Sequence, residues 1–91
     1  MAKLECISIS GVLLWFYSND HEPPHFHAKR RGEWEYRVKF LEPADRMFEL
    51  VWSKGKRRMS KTEREGLVEL VEENRFELLR EWEEKVSVRE Q

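Results

Sequence analysis

Glu33-Trp34-Glu35-Tyr36-Arg37-Val38-Lys39-Phe40 alternates charged and apolar side chains without a break. A period of two puts Trp34, Tyr36, Val38 and Phe40 on one face of a strand and the four charges on the other. Such a strand belongs to a sheet with one face on a core and one face towards water. Glu42-Pro43-Ala44-Asp45 reads as the next turn. Phe48, Leu50 and Trp52 then alternate with Glu49 and Ser53 as a further strand, although Val51 breaks the polarity of its outer face. On the other side, Arg31-Gly32 predicts a hairpin turn leading back to a strand over 25–30. Ile7 to Tyr17 predicts the first strand, bent at Gly11. Its run Val12-Leu13-Leu14-Trp15-Phe16-Tyr17 is continuously apolar, which suggests cover on both faces.

Beyond residue 53 the period changes. Ser60-Lys61-Thr62-Glu63 has the form of a capping box. Leu67, Leu70 and Val71, with Val68 at the edge, make the apolar stripe of a helix. Asn74-Arg75-Phe76-Glu77 repeats the capping spacing with Asn in place of Ser and predicts a second helix. Phe76, Leu79, Trp82 and Val86 form its stripe, and Trp34, Tyr36, Trp52 and Trp82 are assigned to the core. Ser87 to Gln91 is polar and predicted to fray. The expectation is an α+β fold in a single domain, 1–91. A small, mostly antiparallel sheet of about four strands within 5–53 precedes two helices within 60–86, packed on one face.

Composition agrees with a folded domain. The 91 residues are 40% hydrophobic and 38% charged, with four Trp, five Phe and two Tyr. No apolar run is long enough to span a bilayer, and Met1 to Glu5 lacks the apolar core of a signal peptide. A lone Cys6 makes no internal disulfide and fits a reducing compartment. It reads as a small buried hydrophobe rather than a reactive thiol. A cytoplasmic protein without membrane association is expected. The net charge of -1 is unevenly spread: residues 1–62 carry 12 basic and 8 acidic side chains, and residues 63–91 carry 5 basic and 10 acidic. That polarity permits head-to-tail homo-oligomers or an anionic partner at the basic end.

The chemistry concentrates in Ser18-Asn19-Asp20-His21-Glu22-Pro23-Pro24-His25-Phe26-His27-Ala28, which holds all three histidines and two of the three prolines. Ser18-Asn19-Asp20 is turn chemistry, and the two prolines stiffen the chain after it. His25 and His27 share a strand face opposite Phe26 and Ala28. With Phe26 in the core, both histidines are expected to face outwards together. His21, His25, His27 and Asp20 are the candidate metal ligands, since imidazole and carboxylate suit a transition metal such as zinc. His25 and His27 are also candidate catalytic residues, as an acid–base pair beside Arg or Lys holding a phosphate. The plainer alternative is structural: Asp20 caps a turn, His21 lies in solvent and His27 bridges to a neighbouring strand. A separate basic loop, Lys54, Lys56, Arg57 and Arg58, followed by Arg64 and near Trp52, offers a nucleic-acid contact or simply a solvated loop.

The run Tyr17 to Ala28 resembles the signature of a small bacterial family, domain-of-unknown-function family 4160. Asn74 to Glu83, with Trp82, is similar to the helical segment of that family. The signature positions are His21, Pro23, Pro24, His25, Phe26 and His27. The resemblance implies no established activity. Genes of the family often neighbour another small domain, which implies a small protein partner encoded nearby in a toxin–antitoxin-like pair. The middle of this chain departs from many relatives, with longer, Trp-rich strands and an unusually basic 54–58. The leading expectation is an interaction module with a His-centred site. The alternatives are a hydrolase acting on RNA, through a metal or His acid–base chemistry, and a nucleic-acid-binding module using the basic loop.

Overall fold

The computed structural model describes residues 2–86. Its elements, in chain order, are β1 (Ala2–Lys3), β2 (Leu13–Phe16), β3 (Phe26–Arg30), β4 (Trp34–Val38), α1 (Ala44–Met47), β5 (Phe48–Ser53), α2 (Lys61–Glu73) and α3 (Arg75–Lys85). The five strands form one antiparallel sheet in sequence order. The alternation of 34–40 does what its period requires: Trp34, Tyr36, Val38 and Phe40 are buried, and Glu35, Arg37 and Lys39 are half-buried. Arg31-Gly32 forms the β3–β4 hairpin, with Gly32 at φ +80° and the Glu33 N–H donating to the Arg30 carbonyl at 2.9 Å. A side chain there would be strained, since only glycine adopts that conformation freely.

Leu14 pairs with Ala28, and Ala28 with Tyr36, so these residues share a sheet face. They join Leu67, Val71, Leu78 and Trp82 in one core. The helices therefore cover this face and leave the other to Trp15, His27, Glu35 and Arg37.

Five strands replace the expected four or so, and the first lies outside 5–53. Ala2–Lys3 pairs with Phe16 and Trp15 and is too short to show a period. The predicted strand over 7–17 is broken near its middle. Gly11, at φ +79°, makes a tight turn between the bridged Ile9 and Val12, and only Leu13–Phe16 joins the sheet. Part of the 42–45 turn winds into α1, where buried Met47 accepts from the Lys39 N–H at 2.8 Å. In β5 a bulge lets Leu50 oppose Tyr36 and Trp52 oppose Glu35, with Val51 between them. The extra residue sends Trp52 to the face away from the helices. Trp52 is 47% exposed and does not belong to the core as expected.

The capping box of α2 is complete: Ser60 Oγ accepts from the Glu63 N–H, and Glu63 accepts from the Ser60 N–H. Glu63 also meets the Arg30 guanidinium across the fold. Asn74 does not cap α3; its side chain donates to the Leu70 carbonyl at 2.8 Å and finishes α2 instead. The inner face of α3 is rotated from the expected stripe: Leu78, Glu81 and Trp82 are buried, and Phe76 is 85% exposed. Glu81 accounts for the rotation. Its carboxylate accepts from the Glu5 N–H at 3.0 Å and the Cys6 N–H at 2.7 Å, so it must face inwards. Lys85 Nζ ties the same carboxylate to the Lys3 carbonyl. Burial, and then this carboxylate, push the Cys6 thiol up to about 12, which leaves it a poor nucleophile. The expected frayed segment, 87–91, lies outside the described residues. No described helix is long and apolar enough to cross a membrane.

Burial pushes the Glu81 carboxyl up, but its donors from Cys6, Lys85 and the Glu5 amide outweigh this and hold it below the usual range. A depressed carboxyl stabilises the fold above its unfolded value, about 4.3, and that contribution is lost as pH falls through the folded value. Urea midpoints of the wild type are therefore expected to fall more steeply below about pH 4.3 than those of Glu81→Gln. Parallel curves for the two proteins would count against this role.

Candidate metal centre

The connection from β2 to β3 builds the site from one short turn. The Asp20 N–H donates to the Tyr17 carbonyl at 3.2 Å, and the Tyr17 N–H donates to Asp20 Oδ2 at 3.0 Å. This reciprocal pair folds the Asp20 carboxylate back towards β3. His27 lies beside Trp15 in register, on the sheet face away from the helices. Its ring stacks on the Trp15 indole at 5.3 Å between centroids and meets the edge of Tyr17 at 4.7 Å. His25, just before β3, sits 5.1 Å from His27 and 5.5 Å from the core residue Trp82.

The two histidines are together but not open to solvent as expected. His25 is 6% exposed and His27 4%. Trp15 and Tyr17 pack against His27, and Trp82 and His27 against His25, so neither imidazole lies open on the sheet face. Asp20 approaches both: its Oδ1 lies 3.5 Å from His25 Nε2 and 3.3 Å from His27 Nε2. One ligand atom from each of Asp20, His25 and His27 lies within 4.8 Å of the others. His21 is exposed and stands outside this cluster. It lines the rim of a cleft of about 440 Å³ whose walls include Asp20, His25, Arg37, Lys39 and Glu49.

The hydrogen bonds assign the protons. The Pro23 carbonyl can only accept, so His25 Nδ1–H donates to it at 2.9 Å and Nε2 is left towards Asp20. The far nitrogen of His27, Nδ1, is buried without a hydrogen-bond partner, with Glu35 Oε2 at 3.9 Å. On the near side both Asp20 carboxylate oxygens lie 3.3 Å from Nε2, and a carboxylate can only accept, so the neutral ring donates its Nε2–H to Asp20. Desolvation lowers the His27 pKa despite the nearby Asp20 carboxylate, so the ring stays neutral at physiological pH. Neutral imidazole is the form that ligates a metal ion.

The basic loop is not brought to this site. Ser53 pairs with Trp34, so Lys54, Lys56, Arg57 and Arg58 leave the sheet at the end away from the Val38–Phe48 pair. All four are exposed. Arg58 turns back on its own loop, donating to Ser53 Oγ at 2.7 Å and to the Arg57 carbonyl at 2.9 Å. Arg64 leaves the patch altogether: it donates to the Ala44 carbonyl at 3.1 Å and lies over the Phe48 ring at 4.5 Å.

Trp15, Tyr17, Glu35, Arg37 and Lys39 surround the centre without having been singled out for it. The signal for the last three was present in their alternation, which places them on the charged face of β4. Linking that face to His27 required the β3–β4 register.

A family model described as Domain of unknown function (DUF4160) matches residues 11–83. That span holds the whole Asp20–His25–His27 cluster and most of α3. No curated protein and no solved structure was found to match the chain.

Proposed function

The chain belongs to the DUF4160 family, and from the geometry of its Asp20–His25–His27 cluster we propose that it binds a divalent transition metal ion such as zinc. One observation carries this reading. His25 Nε2, His27 Nε2 and an Asp20 carboxylate oxygen converge beneath the surface, with one ligand atom from each residue within 4.8 Å of the others. Only one proton, shared by His27 and Asp20, stands between these groups, and metal binding releases such protons. A cation would take that proton's place and be bound by all three residues.

The donor set fits the chemistry of such an ion. Two nitrogens and one carboxylate oxygen form the ligand set of many catalytic zinc sites and of two-His, one-carboxylate iron sites. The Pro23 carbonyl behind His25 orients that ring from outside, as supporting groups do at metal sites, and the Glu35 carboxylate lies 3.9 Å from the outer nitrogen of His27. His25 and Asp20 border the cleft, which leaves a side for a further ligand. When bound there, the ion would supply Lewis acidity.

The test is the metal content of protein prepared without a polyhistidine tag, beside His25→Ala/His27→Ala. About one ion per chain is expected in the wild type and none in the double variant. A wild type that retains no ion and gains none on incubation with zinc, iron, nickel or copper salts would end this reading.

A further inference from the structure

We propose that the cleft beside the Asp20–His25–His27 cluster binds a phosphoryl group, held between the metal ion on one side and Arg37 and Lys39 on the other. The inference rests on the metal reading above and adds to it a class of ligand.

Register places the cations. Arg37 pairs with His27 across β3 and β4, and directly opposed residues on one face have Cβ atoms about 4.5–5.5 Å apart. Lys39 follows two residues later and so shares that face. Both line the cleft with Asp20 and His25. Their side chains are partly buried and converge on one carboxylate: Arg37 Nη1 donates to Glu49 Oε1 at 3.0 Å, and Lys39 Nζ stands 4.0 Å from the same oxygen. Glu49 thereby gathers both cations at one wall instead of letting them extend into solvent. It does not saturate them. Arg37 spends one N–H of its planar fork on Glu49, and Lys39 lies beyond hydrogen-bond distance of that carboxylate. Guanidinium and ammonium groups with donors to spare, facing a cleft, are the groups that recognise phosphate oxygens.

Charge makes the ligand depend on the ion. The cleft is lined by three acidic side chains, Asp20, Glu22 and Glu49, and two basic ones, Arg37 and Lys39. The carboxylates outnumber these cations, and an anion is repelled. A divalent ion reverses that balance. A tetrahedral phosphoryl group can then offer separate oxygens to the ion, to Arg37 and to Lys39, which a carboxylate with two oxygens cannot do. The cleft, about 440 Å³, also has room for the group that carries the phosphate.

The experiment is calorimetric titration of inorganic phosphate, and separately of acetate, into zinc-loaded wild type, metal-free wild type and zinc-loaded Arg37→Gln/Lys39→Gln, with metal content measured on every sample. Phosphate is expected to bind the zinc-loaded wild type, and at least about tenfold more weakly the metal-free protein and the double variant. Acetate is expected to bind the zinc-loaded wild type at least about tenfold more weakly than phosphate. Glu49→Gln removes the competing carboxylate and is expected to tighten phosphate binding. Full zinc occupancy without phosphate binding, or with equal affinity in wild type and double variant, would overturn the phosphoryl proposal and leave the metal reading standing. Acetate binding as tight as phosphate would also overturn it. A wild type that holds no zinc removes the metal reading and this proposal together, and the metal measurement identifies that case.

Discussion

Replacing Trp82 by Ala is expected to cost about 3–5 kcal/mol of stability, the range for removing a buried aromatic side chain from a core. Trp82 is 1% exposed, packs edge-on against Phe16 at 5.9 Å, and is the core residue against which His25 rests. Domains of this size are stable by about 5–15 kcal/mol, so the variant stands near the edge of unfolding. Urea midpoints measure the loss, with Trp82→Phe as the milder comparison that keeps a ring against Phe16. A loss below about 1 kcal/mol for Trp82→Ala would mean that the site collapses around the gap and that the core is less constrained than described.

Asp20→Asn is expected to weaken zinc binding at least about 100-fold while leaving the fold intact, since it removes the only anionic ligand of the three. The substitution separates two roles. An Asn side-chain oxygen still accepts the Tyr17 N–H, so the turn survives. Only the charge between the two imidazoles is lost. Competition with a chromogenic chelator at neutral pH gives the affinity, and circular dichroism reports the fold. If the affinity is unchanged, Asp20 is a turn cap and not a ligand.

The strands and the site residues were legible to different degrees, for physical reasons. The alternation of 34–40 exposes its period over a full strand, and the Ser60–Glu63 box is a local hydrogen-bond pattern, so both could be read without the fold. Asp20, His25 and His27 lie within eight consecutive residues, and turn chemistry alone brings them close. Their burial was not legible, because Trp15 and Tyr17 reach His27 only through the β2–β3 pairing, and Trp82 reaches His25 only through the packing of α3. The rotation of α3 was hidden for a similar reason. A Glu reads as solvent-facing until two backbone amides from residues 5 and 6 are found waiting for it. Trp52 was misplaced because one bulged residue inverts the alternation after it.

The clasp between Glu81 and the amides of Glu5 and Cys6 joins positions 76 and 75 residues apart. Contacts of such span close a loop that takes in most of the chain, and chain entropy favours making them after shorter ones. The clasp is therefore expected to be absent from the folding transition state, and its strength to act as a brake on the way out. Removing charge-assisted hydrogen bonds costs about 1–3 kcal/mol. If that loss falls on the unfolding limb, Glu81→Ala unfolds roughly 5- to 150-fold faster in stopped-flow measurements and refolds at close to the wild-type rate. A slower refolding limb would place the clasp in the nucleus instead. One inward-facing glutamate thus sets how long the native molecule survives between openings, with little influence on how quickly it forms.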